Sequence, residues 1–452
     1  MEQYSNIRKI IDLAPMSAVQ LRTVSLCFCL NMLDGIDVLS ISFAAPLLVG
    51  QWGIQPEILG TIFSAALLGM MVGSLFIAPL GDTIGRRKLL MISLLLIAAG
   101  MLSTVLVTSV PQLLVVRFVT GCGLGGVVAM MAAMAAEFSP IRHRNFTVTL
   151  VQGGYPLGAT LTGLVAAVTI PAYGWESVFM LGGTLTLIAL PIVWFCLPES
   201  LDFLLSRQPH GALEKINEGL RKMGHEELKK LPPIPTFVAS KAGVAPFFAA
   251  LGTLFSREYR SATFLLWVAF FMSFATLYFL LSWVPQLTSN TGLSIEMAIY
   301  AGTAMNFGAF IGMASCGYFG DSFGMKPVIT IYLGVGAIVM ACFSYFETSA
   351  AILVALFVLG LMQGGFIGLY AVATRIYPTL IRSTGVGWAI GIGRPGGIIG
   401  PIIAGFLVAA GLSMASSFIV FAIPLAIAAI AVWCIQSPEL EPPVPDARDP
   451  SH

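Results

Sequence analysis

Four ionisable residues lie well inside long apolar runs of the sequence, and they are Asp34, Asp37, Arg117 and Arg394. A charge at the centre of a helix in a membrane costs on the order of 2.5–3.5 kcal/mol, so each residue is expected to face a polar cavity. Asp34 and Asp37 are three residues apart, which places both carboxylates on one face of a helix. Because two adjacent carboxylates repel each other when both are ionised, one is predicted to bind and release a proton.

The two arginines supply the opposite charge, because arginine stays protonated in proteins. Arg117 is a permanent partner for Asp34 or Asp37, with a purely structural ion pair as the alternative to a ligand-binding role. Arg394 carries a planar guanidinium that suits bidentate capture of a carboxylate ligand. An anion that enters this neutral set of charges leaves one negative charge uncompensated, and a proton on an aspartate restores neutrality. The charges therefore predict coupled movement of a monocarboxylate and a proton, inward down the usual proton gradient.

The composition indicates that membrane-spanning helices position these charges. Of the 452 residues, 57% are apolar and 10% are charged, and the mean hydropathy is +0.90. Soluble domains average roughly 25% charged residues, so a soluble globule, a disordered chain, a nucleic-acid binder and a secreted disulfide scaffold are excluded. About twelve continuous apolar runs are long enough to span a bilayer, and their lack of alternation disfavours a β-barrel. The predicted fold class is an all-α polytopic membrane protein.

Apart from Arg117 and Arg394, the lysines and arginines fall on one set of connecting segments, and the alternate loops contain none. Cytoplasmic loops carry the excess of positive charge, so both termini are predicted to be cytoplasmic in a multi-pass inner-membrane protein. The polar N-terminal segment does not resemble a cleavable signal, and the first apolar run is expected to be a retained helix. The seven cysteines are not expected to form a disulfide framework, and Cys27 and Cys29 are interpreted as helix-packing residues.

Three pairs of motifs recur in the two halves of the chain at almost the same separation. The pairs are Gly81-Asp82-x-x-Gly85 and Gly320-Asp321-x-x-Gly324, Glu137–Pro140 and Arg375–Pro378, and Pro198-Glu199 and Pro438-Glu439. Such a repeat predicts two similar bundles with the substrate bound near the midplane at the repeat interface. The predicted divisions are a cytoplasmic N-terminus (1–20), a first six-helix bundle (21–197), a cytoplasmic central loop (198–260), a second six-helix bundle (261–436) and a disordered cytoplasmic tail (437–452). The central loop is expected to contain a short amphipathic helix near residues 211–223.

The repeated turn after the second predicted helix combines glycine, aspartate and cationic residues. Glycine permits a tight turn with a positive φ angle. The aspartate can accept hydrogen bonds from a neighbouring helix end, and the arginines can pair with acids of the other bundle. A latch at the cytoplasmic ends is therefore predicted, with a merely solvated turn as the alternative. The residues assigned to this cytoplasmic gate are Gly81, Asp82, Gly85, Arg86, Arg87, Glu137, Arg144, Asp321, Arg375 and Arg382.

Aromatic residues crowd the seventh and eighth predicted helices, where they could stack on an aromatic ring or face lipid as a membrane belt. They are Phe270, Phe271, Phe274, Tyr278, Phe279, Trp283, Phe307 and Phe310. Tyr155, Asn306 and Gln363 are candidates for hydrogen bonds to a hydroxyl or a carboxylate. The duplication aligns Tyr155 with Arg394, so helix packing common to both halves did not require that charge. The predicted substrate-binding residues are Arg117, Tyr155, Trp283, Asn306, Phe307, Gln363 and Arg394.

Two patterns bear on whether the chain is an enzyme. Glycines 121, 123, 125 and 126 lie in mid-helix with no strand before them, so close helix packing is favoured over a phosphate-binding loop. The four histidines lie outside the spans and form no metal-spaced cluster. No cofactor, metal site or nucleic-acid partner is therefore expected, and the coupling ion is the proton.

Several of these motifs resemble those of the major facilitator superfamily. The resemblance is carried by Gly81–Lys88, by its weaker copy Gly320–Lys326, by Arg117–Gly126 and by the two-by-six arrangement of spans. Asp34–Asp37 (Asp-Gly-Ile-Asp) is similar to the Asp-Gly-Phe-Asp signature of the aromatic acid:proton symporter family, from which it departs at Ile36.

This resemblance implies twelve transmembrane helices in two pseudo-symmetric six-helix bundles and no enzymatic activity. It further implies a monomer that imports a benzoate- or hydroxybenzoate-like acid with protons by alternating access, in the catabolism of aromatic compounds. Transport of an aliphatic organic acid and export of an amphipathic compound are the alternatives that stay open. The chain also departs from the family pattern at Pro395, where a small or aliphatic residue is expected after Arg394. The departures at Ile36 and Pro395 bear on the choice of substrate more than on the mechanism.

Overall fold

The computed structural model describes residues 15–142, 144–232, 252, 254–346, 348–377 and 382–436. The side chains of residues 145, 321 and 382–384 lie outside this description. The predicted tail after residue 436, residues 1–14 of the predicted N-terminus and part of the predicted central loop also lie outside it.

The described chain is helical, and none of its described residues forms a strand. The helices are α1 (Ala18–Trp52), α2 (Pro56–Val72), α3 (Gly81–Ile84), α4 (Arg86–Thr104), α5 (Val110–Glu137), α6 (Arg144–Tyr173), α7 (Glu176–Cys196), α8 (Leu201–Arg207), α9 (Ala212–Lys222), α10 (Arg260–Asn290), α11 (Ile295–Phe323), α12 (Met325–Ala341), α13 (Ser349–Met362), α14 (Gly364–Ile376), α15 (Arg382–Ala409) and α16 (Met414–Cys434). A π-helical segment, Gly73–Ile77, and a short 3₁₀ segment, Ala78–Leu80, connect α2 to α3.

Eleven helical segments of the described chain are long and apolar enough to cross a membrane, and α12 is a shorter apolar helix of 17 residues. The predicted fold class, an all-α polytopic membrane protein, is confirmed. The amphipathic helix predicted near residues 211–223 is also confirmed, as α9, which buries Ile216 and Leu220 on one face.

The two copies of the glycine-aspartate turn have nearly the same backbone conformation. Gly85 has φ 103° and ψ 142°, and Gly324 has φ 88° and ψ 141°. Residues with a Cβ rarely adopt such positive φ angles, whereas glycine does so without steric cost. The prediction that each turn requires glycine is confirmed at these two positions, and the match supports the duplication.

The chain divides into two compact units. The first unit contains the described residues of Met1–Gly243 together with Leu281–Thr303 and Pro401–Ala409, and the second contains those of Val244–Leu280, Ala304–Gly400 and Ala410–His452. In the first unit α1 packs along α6, α2 along α5, and α4 along α5 and α7. In the second unit α12 packs against α14 and α16. The unit boundaries fall inside α10, α11 and α15, and the domain divisions predicted from the sequence stay predictions.

Glycines of α5 permit the close helix packing that the sequence indicated. A Cβ added to Gly121 would lie 2.1 Å from the carbonyl oxygen of Ala66, and one added to Gly125 would lie 2.2 Å from that of Met70. Both carbonyls belong to α2, so the backbones of α2 and α5 touch. These contacts support helix packing as the role of the glycine run.

The segments of α10 and α15 that belong to the first unit contact α1 and α2. Ser42 Oγ donates a hydrogen bond to the carbonyl oxygen of Ser282 at 2.8 Å, and Trp283 Nε1 donates one to that of Pro401 at 3.0 Å. A Cβ added to Gly60 would lie 2.5 Å from the same Pro401 oxygen. We call this set the Trp283 contacts.

Candidate functional site

Asp37 and Arg117 form a buried bidentate ion pair between α1 and α5. Arg117 Nη1 donates to Asp37 Oδ1 at 2.9 Å, and Nη2 donates to Oδ2 at 3.2 Å. Neither side chain is exposed, and the ring centroid of Phe179 lies 5.9 Å from the guanidinium carbon. Of the two aspartates that the sequence offered as partners, the structure selects Asp37. Because both terminal nitrogens of Arg117 are engaged, the geometry favours a structural ion pair over a substrate ligand.

Asp34 lies about one turn earlier in α1, where α1 and α6 are in close contact. Its side chain is 4% exposed. A Cβ added to Gly35 would lie 2.1 Å from the carbonyl oxygen of Tyr155, and one added to Gly158 would lie 2.1 Å from that of Met32. The structure therefore places Tyr155 on the part of α6 that contacts α1 next to Asp34.

Arg394 lies in α15 of the second unit. Its charge interacts electrostatically with the hydroxyl group of Tyr370, as does the hydroxyl group of Tyr278. Arg394 is half-buried, and within the described part of the chain no acidic side chain forms an ion pair with it. An arginine inside a membrane helix needs an anion or a polar cavity to offset its loss of hydration. This residue is therefore the best candidate for binding an anionic group.

Both tyrosines belong to an aromatic cluster, which we define as Phe270, Phe274, Tyr278, Phe366 and Tyr370. Phe274 stacks on Tyr278 with centroids 6.0 Å apart and meets Phe366 edge to face at 4.7 Å. Phe270 meets Tyr370 edge to face at 5.2 Å. The members from α10 follow one another at intervals of four residues, as do those from α14, so each helix contributes one face.

Glycines of α15 bring the aromatic cluster against the backbone beside Arg394. A Cβ added to Gly393 would lie 2.7 Å from Phe274 Cδ2, and one added to Gly397 would lie 2.6 Å from Tyr278 Cδ2. The rings thus occupy the space that side chains at these two positions would fill. A guanidinium and several aromatic rings are therefore held at one place by α10, α14 and α15.

Two predicted substrate-binding residues lie elsewhere. Trp283 is completely buried in the first unit, where it meets Phe63 edge to face at 5.5 Å besides its hydrogen bond to Pro401. Phe307 is 45% exposed and shares a face of α11 with Tyr300 and Tyr318, which are also exposed. A stripe of exposed aromatic side chains is typical of a lipid-facing surface. The geometry does not favour either residue as a substrate ligand.

Asn306 and Gln363 are buried in the second unit. Asn306 is 1% exposed on α11, and Gln363 is 9% exposed at the joint between α13 and α14. Phe279 also belongs to the interior of this unit, because its ring stacks on Phe421 with centroids 3.9 Å apart. The roles of Asn306 and Gln363 as substrate ligands stay predictions.

The first copy of the glycine-aspartate turn is held by charged groups of its own unit. Arg86 forms an ion pair with Glu137 of α5 and a second one with Asp82 at 3.6 Å. The backbone N–H of Arg87 donates to Glu199 Oε1 at 3.0 Å. For Arg86, the ion pairs of the described residues thus lie within the first unit, and they include Glu137, which the sequence assigned to the gate. Pairing with acids of the other bundle stays a prediction.

Glu199 and Ser200 belong to this network, although we did not assign them to the gate. Ser200 Oγ donates to Glu137 Oε2 at 2.6 Å, and the Ser200 backbone N–H donates to Glu199 Oε1 at 3.0 Å. The available signal was the recurrence of Pro198-Glu199 in both halves. Arg207 Nε donates to the carbonyl oxygen of Asp82 at 3.0 Å, so α8 is attached to the same turn.

For the other predicted gate residues, the structure gives less information about a role in a gate. Arg144 Nε donates to the carbonyl oxygen of Ala136 at 3.1 Å, near the end of α5. Arg375 is exposed in the last turn of α14. The side chains of Asp321 and Arg382 lie outside the described residues.

Phe366 and Tyr370 are the residues of the aromatic cluster that sequence reasoning missed. Their spacing of four residues places both on one face of α14. The same spacing in Gly393 and Gly397, on either side of Arg394, was a second available signal. Neither pattern reveals which helices meet, so the cluster emerges only from the three-dimensional packing.

The described helices and buried charges define a polytopic membrane transporter, and comparisons with known proteins agree. A family profile described as Major Facilitator Superfamily matches residues 27–316 and 266–451. The 4-hydroxybenzoate transporter PcaK of Acinetobacter baylyi is 34% identical over 433 residues, which cover 94% of this chain and 93% of that protein. The benzoate transport protein of the same organism is 28% identical, covering 98% of this chain and 96% of that protein. The fold is similar to that of the xylose transporter XylE from E. coli, with a TM-score of 0.72 at 17% identity over 92% of this chain and 98% of that one.

The chain belongs to the major facilitator superfamily and, within it, to the family of aromatic acid transporters. The predicted family and fold are thereby confirmed. The protein is a transporter and not an enzyme.

Proposed function

We propose that the protein imports an aromatic carboxylate of the benzoate or hydroxybenzoate type together with a proton. The observation that supports this proposal is Arg394, which has no ion-pair partner among the described acidic residues and lies beside the aromatic cluster. A guanidinium binds a carboxylate through two parallel hydrogen bonds, and aromatic rings attract the ring of the same molecule. Relatives named as transporters of 4-hydroxybenzoate, gallate and benzoate agree with this substrate class.

We assign the coupling proton to Asp34. Protonation of Asp37 would break a buried ion pair and leave the charge of Arg117 without a partner, which costs about 3–5 kcal/mol. Asp37 and Arg117 cancel each other, and Asp34 is the other buried carboxylate of α1. A proton on Asp34 and a carboxylate on Arg394 then neutralise these two groups together. Loading with only one of them leaves a charge uncompensated in surroundings of low dielectric constant.

The transport cycle that we propose is alternating access across the cell inner membrane, by a monomer whose termini are cytoplasmic. The distribution of lysine and arginine over one set of loops supports this orientation. Opening of the pathway on the side of the uncharged loops requires release of the Trp283 contacts. The coupling ion is the proton, and no other cofactor takes part.

The test is uptake of labelled 4-hydroxybenzoate into liposomes that contain the purified protein. With the lumen more alkaline than the outside, we expect accumulation above the external concentration, and a protonophore abolishes it. Excess unlabelled benzoate competes, whereas an aliphatic acid such as succinate does not. Accumulation that persists without a pH gradient contradicts proton coupling, and equal competition by succinate supports the aliphatic alternative.

A further inference from the structure

A small, partly open cavity lies in the second unit beside the joint between α13 and α14. Its polar lining residues are Ser273 and Thr276 of α10 and Gln363 at the joint. Apolar side chains of α10, α12, α13, α14 and α16 complete the lining, and Phe366 of the aromatic cluster is one of them.

Two of the polar side chains have unsatisfied hydrogen-bonding groups. Ser273 is 2% exposed and Gln363 is 9% exposed. In the part of the chain that the structure describes, neither Ser273 Oγ nor Gln363 Nε2 has a hydrogen-bond partner. Thr276 Oγ1 donates to the carbonyl oxygen of Phe421 at 3.2 Å, which leaves its lone pairs able to accept. Buried polar groups almost always bond to protein or to ordered water, so these groups indicate a small polar ligand.

The size of the cavity restricts that ligand. The cavity has a volume of about 20 Å³, measured as the space that the centre of a water molecule can occupy. One ordered water needs roughly 10–15 Å³ by this measure and two to four polar partners. Pockets for organic ligands have volumes of roughly 300–1,000 Å³, so an aromatic acid does not fit.

The backbone next to the cavity has a local change of helix type. Gln363 N–H donates to the carbonyl oxygen of Gly360 at 2.9 Å, and Phe366 N–H donates to that of Gln363 at 3.0 Å. Both bonds span three residues, as in a 3₁₀-helix, whereas an α-helix uses four. Such a stretch inside a long helix often marks a hinge.

We propose that this cavity is a binding site for one water molecule, which bridges Ser273 of α10 and Gln363 at the α13–α14 joint. The water accepts a hydrogen bond from Gln363 Nε2, forms a second one with Ser273 Oγ and donates a third to Thr276 Oγ1. The bridge connects α10 to the hinge from which α14 starts. Since these two helices carry the aromatic cluster, the water is a positioning element for it.

Radiolytic hydroxyl labelling of the full-length protein in lipid nanodiscs, without substrate, tests the site directly. X-rays generate radicals from bound water, and these oxidise adjacent side chains even when the side chains are buried. Phe366 and Leu359 line the cavity at 7% and 2% exposure. We expect them to be oxidised several-fold faster than Phe418 and Leu356, which are completely buried and do not line it. Equal rates for the two sets would overturn the proposal.

Variants test whether the polar side chains of the cavity bind the water. Gln363→Met keeps the side-chain length and removes the amide, so the excess oxidation of Phe366 is expected to disappear. Ser273→Ala is the smaller change, and it is expected to reduce the excess at least several-fold even if the first variant folds poorly. Ser417→Ala is the matched control, because Ser417 is equally buried but its Oγ donates to the carbonyl oxygen of Ser413 in α16 at 3.0 Å. Unchanged oxidation of Phe366 in both cavity variants would contradict the assignment.

A thermal-unfolding cycle supplies an independent readout. Ser273→Ala and Gln363→Met are each expected to lower Tm, and the double variant to lower it by less than the sum, because both lose the same water. Strict additivity would contradict a shared ligand. Neither measurement uses substrate, so its outcome is independent of the proposed symport.

Discussion

The buried charges of the protein differ in what surrounds them. Asp37 occupies both terminal nitrogens of Arg117, whereas Arg394 has no acidic partner among the described residues and interacts electrostatically with Tyr370 of the aromatic cluster. An arginine whose guanidinium is already paired stabilises the fold, and one that lacks an acid can bind an anion. The two arginines are therefore expected to respond differently to substitution.

Replacement of Arg394 by lysine tests anion binding. Arg394→Lys keeps the charge but loses the planar pair of donors, so a two-bond contact with a carboxylate becomes a single one. We expect KM for 4-hydroxybenzoate to rise about tenfold, which corresponds to about 1.4 kcal/mol, with the protein still folded. Arg221→Lys is the control, since Arg221 is 70% exposed on α9. An unaltered KM in Arg394→Lys would argue against carboxylate capture at this residue.

Substitution of the two aspartates separates coupling from stability. Asp34→Asn is expected to abolish accumulation driven by a pH gradient, because a side-chain amide cannot take up and release a proton in this range. Asp37→Asn leaves a buried arginine unpaired and is expected to destabilise the protein by about 3–5 kcal/mol. Adding Arg117→Gln removes that charge and is expected to restore part of the lost Tm. Concentrative uptake by Asp34→Asn would exclude Asp34 as the proton carrier.

The residues of the site were predictable from the sequence only in part. A charge inside an apolar run is visible without coordinates, so Asp34, Asp37, Arg117 and Arg394 could all be found. Which aspartate pairs with Arg117 could not, because a spacing of three residues gives both the same helix face. The role of Phe307 as a substrate ligand stays a prediction, since an aromatic residue on a membrane helix faces lipid or protein according to the neighbouring helices.

Glycine contacts determine how closely the helices pack. Gly158 of α6 lies against the carbonyl oxygen of Met32, and Gly35 of α1 lies against that of Tyr155. The sequence indicated close packing for glycines in general, but it could not identify the partner helix of each. These two contacts matter most for the site, because they flank Asp34 on the surface between α1 and α6.

Addition of a single methyl group tests that packing. Gly158→Ala places a Cβ 2.1 Å from the Met32 carbonyl oxygen, so the two backbones must separate. Overpacking of this kind costs typically about 1–3 kcal/mol, and we expect a clearly lower Tm in a thermal-unfolding assay. Gly334→Ala in α12 is the matched control, because its Cβ meets nothing within 4 Å and a helical alanine is favoured over glycine by about 1 kcal/mol. Equal Tm values for the two variants would contradict the packing argument.

The tenth predicted span shows a limit of sequence reasoning for helices. Its hydropathy indicates one continuous helix, but the structure divides it into α13 and α14 at Gln363. The adjacent glycines Gly364 and Gly365 are the only local signal, because paired glycines often mark a turn. The position of this break could not be predicted from the sequence, because the burial of Gln363 depends on the neighbouring helices.

The first unit of the molecule includes the ends of helices from both halves of the sequence. Besides the Trp283 contacts, Thr303 of α11 lies against Gly163 of α6, where an added Cβ would be 3.0 Å from the Thr303 Cβ. In a transporter that works by alternating access, contacts of this kind must open once per cycle. The second half of the chain thus contributes to the packing of the first unit, which the duplicated sequence motifs did not reveal.

A disulfide across this contact tests whether it opens. Cβ atoms in disulfides are usually about 3.5–4.5 Å apart, so Gly163→Cys combined with Thr303→Cys can form one when the two helices separate by about 0.5 Å. Oxidation of the double variant is expected to reduce the rate of uptake at least tenfold, and dithiothreitol is expected to restore it. Each single variant serves as a control for the seven native cysteines, all of which are unpaired. Full uptake in the cross-linked protein would mean that this contact stays closed throughout the cycle.

The neutral Asp37–Arg117 pair has an electrical consequence for the whole cycle. Asp34 and Arg394 sum to zero in the absence of ligands, and one proton plus one monovalent acid anion also sum to zero. In the proposed symport, no net charge then crosses the bilayer in either direction of the conformational change, so the transmembrane voltage is expected to do no work on it. A potassium diffusion potential set with valinomycin, at a fixed pH gradient, is expected to leave the initial uptake rate unchanged. A rate that follows the voltage would indicate more than one proton per anion. A cell with a depolarised membrane would still accumulate the acid for as long as its interior stayed more alkaline than its surroundings.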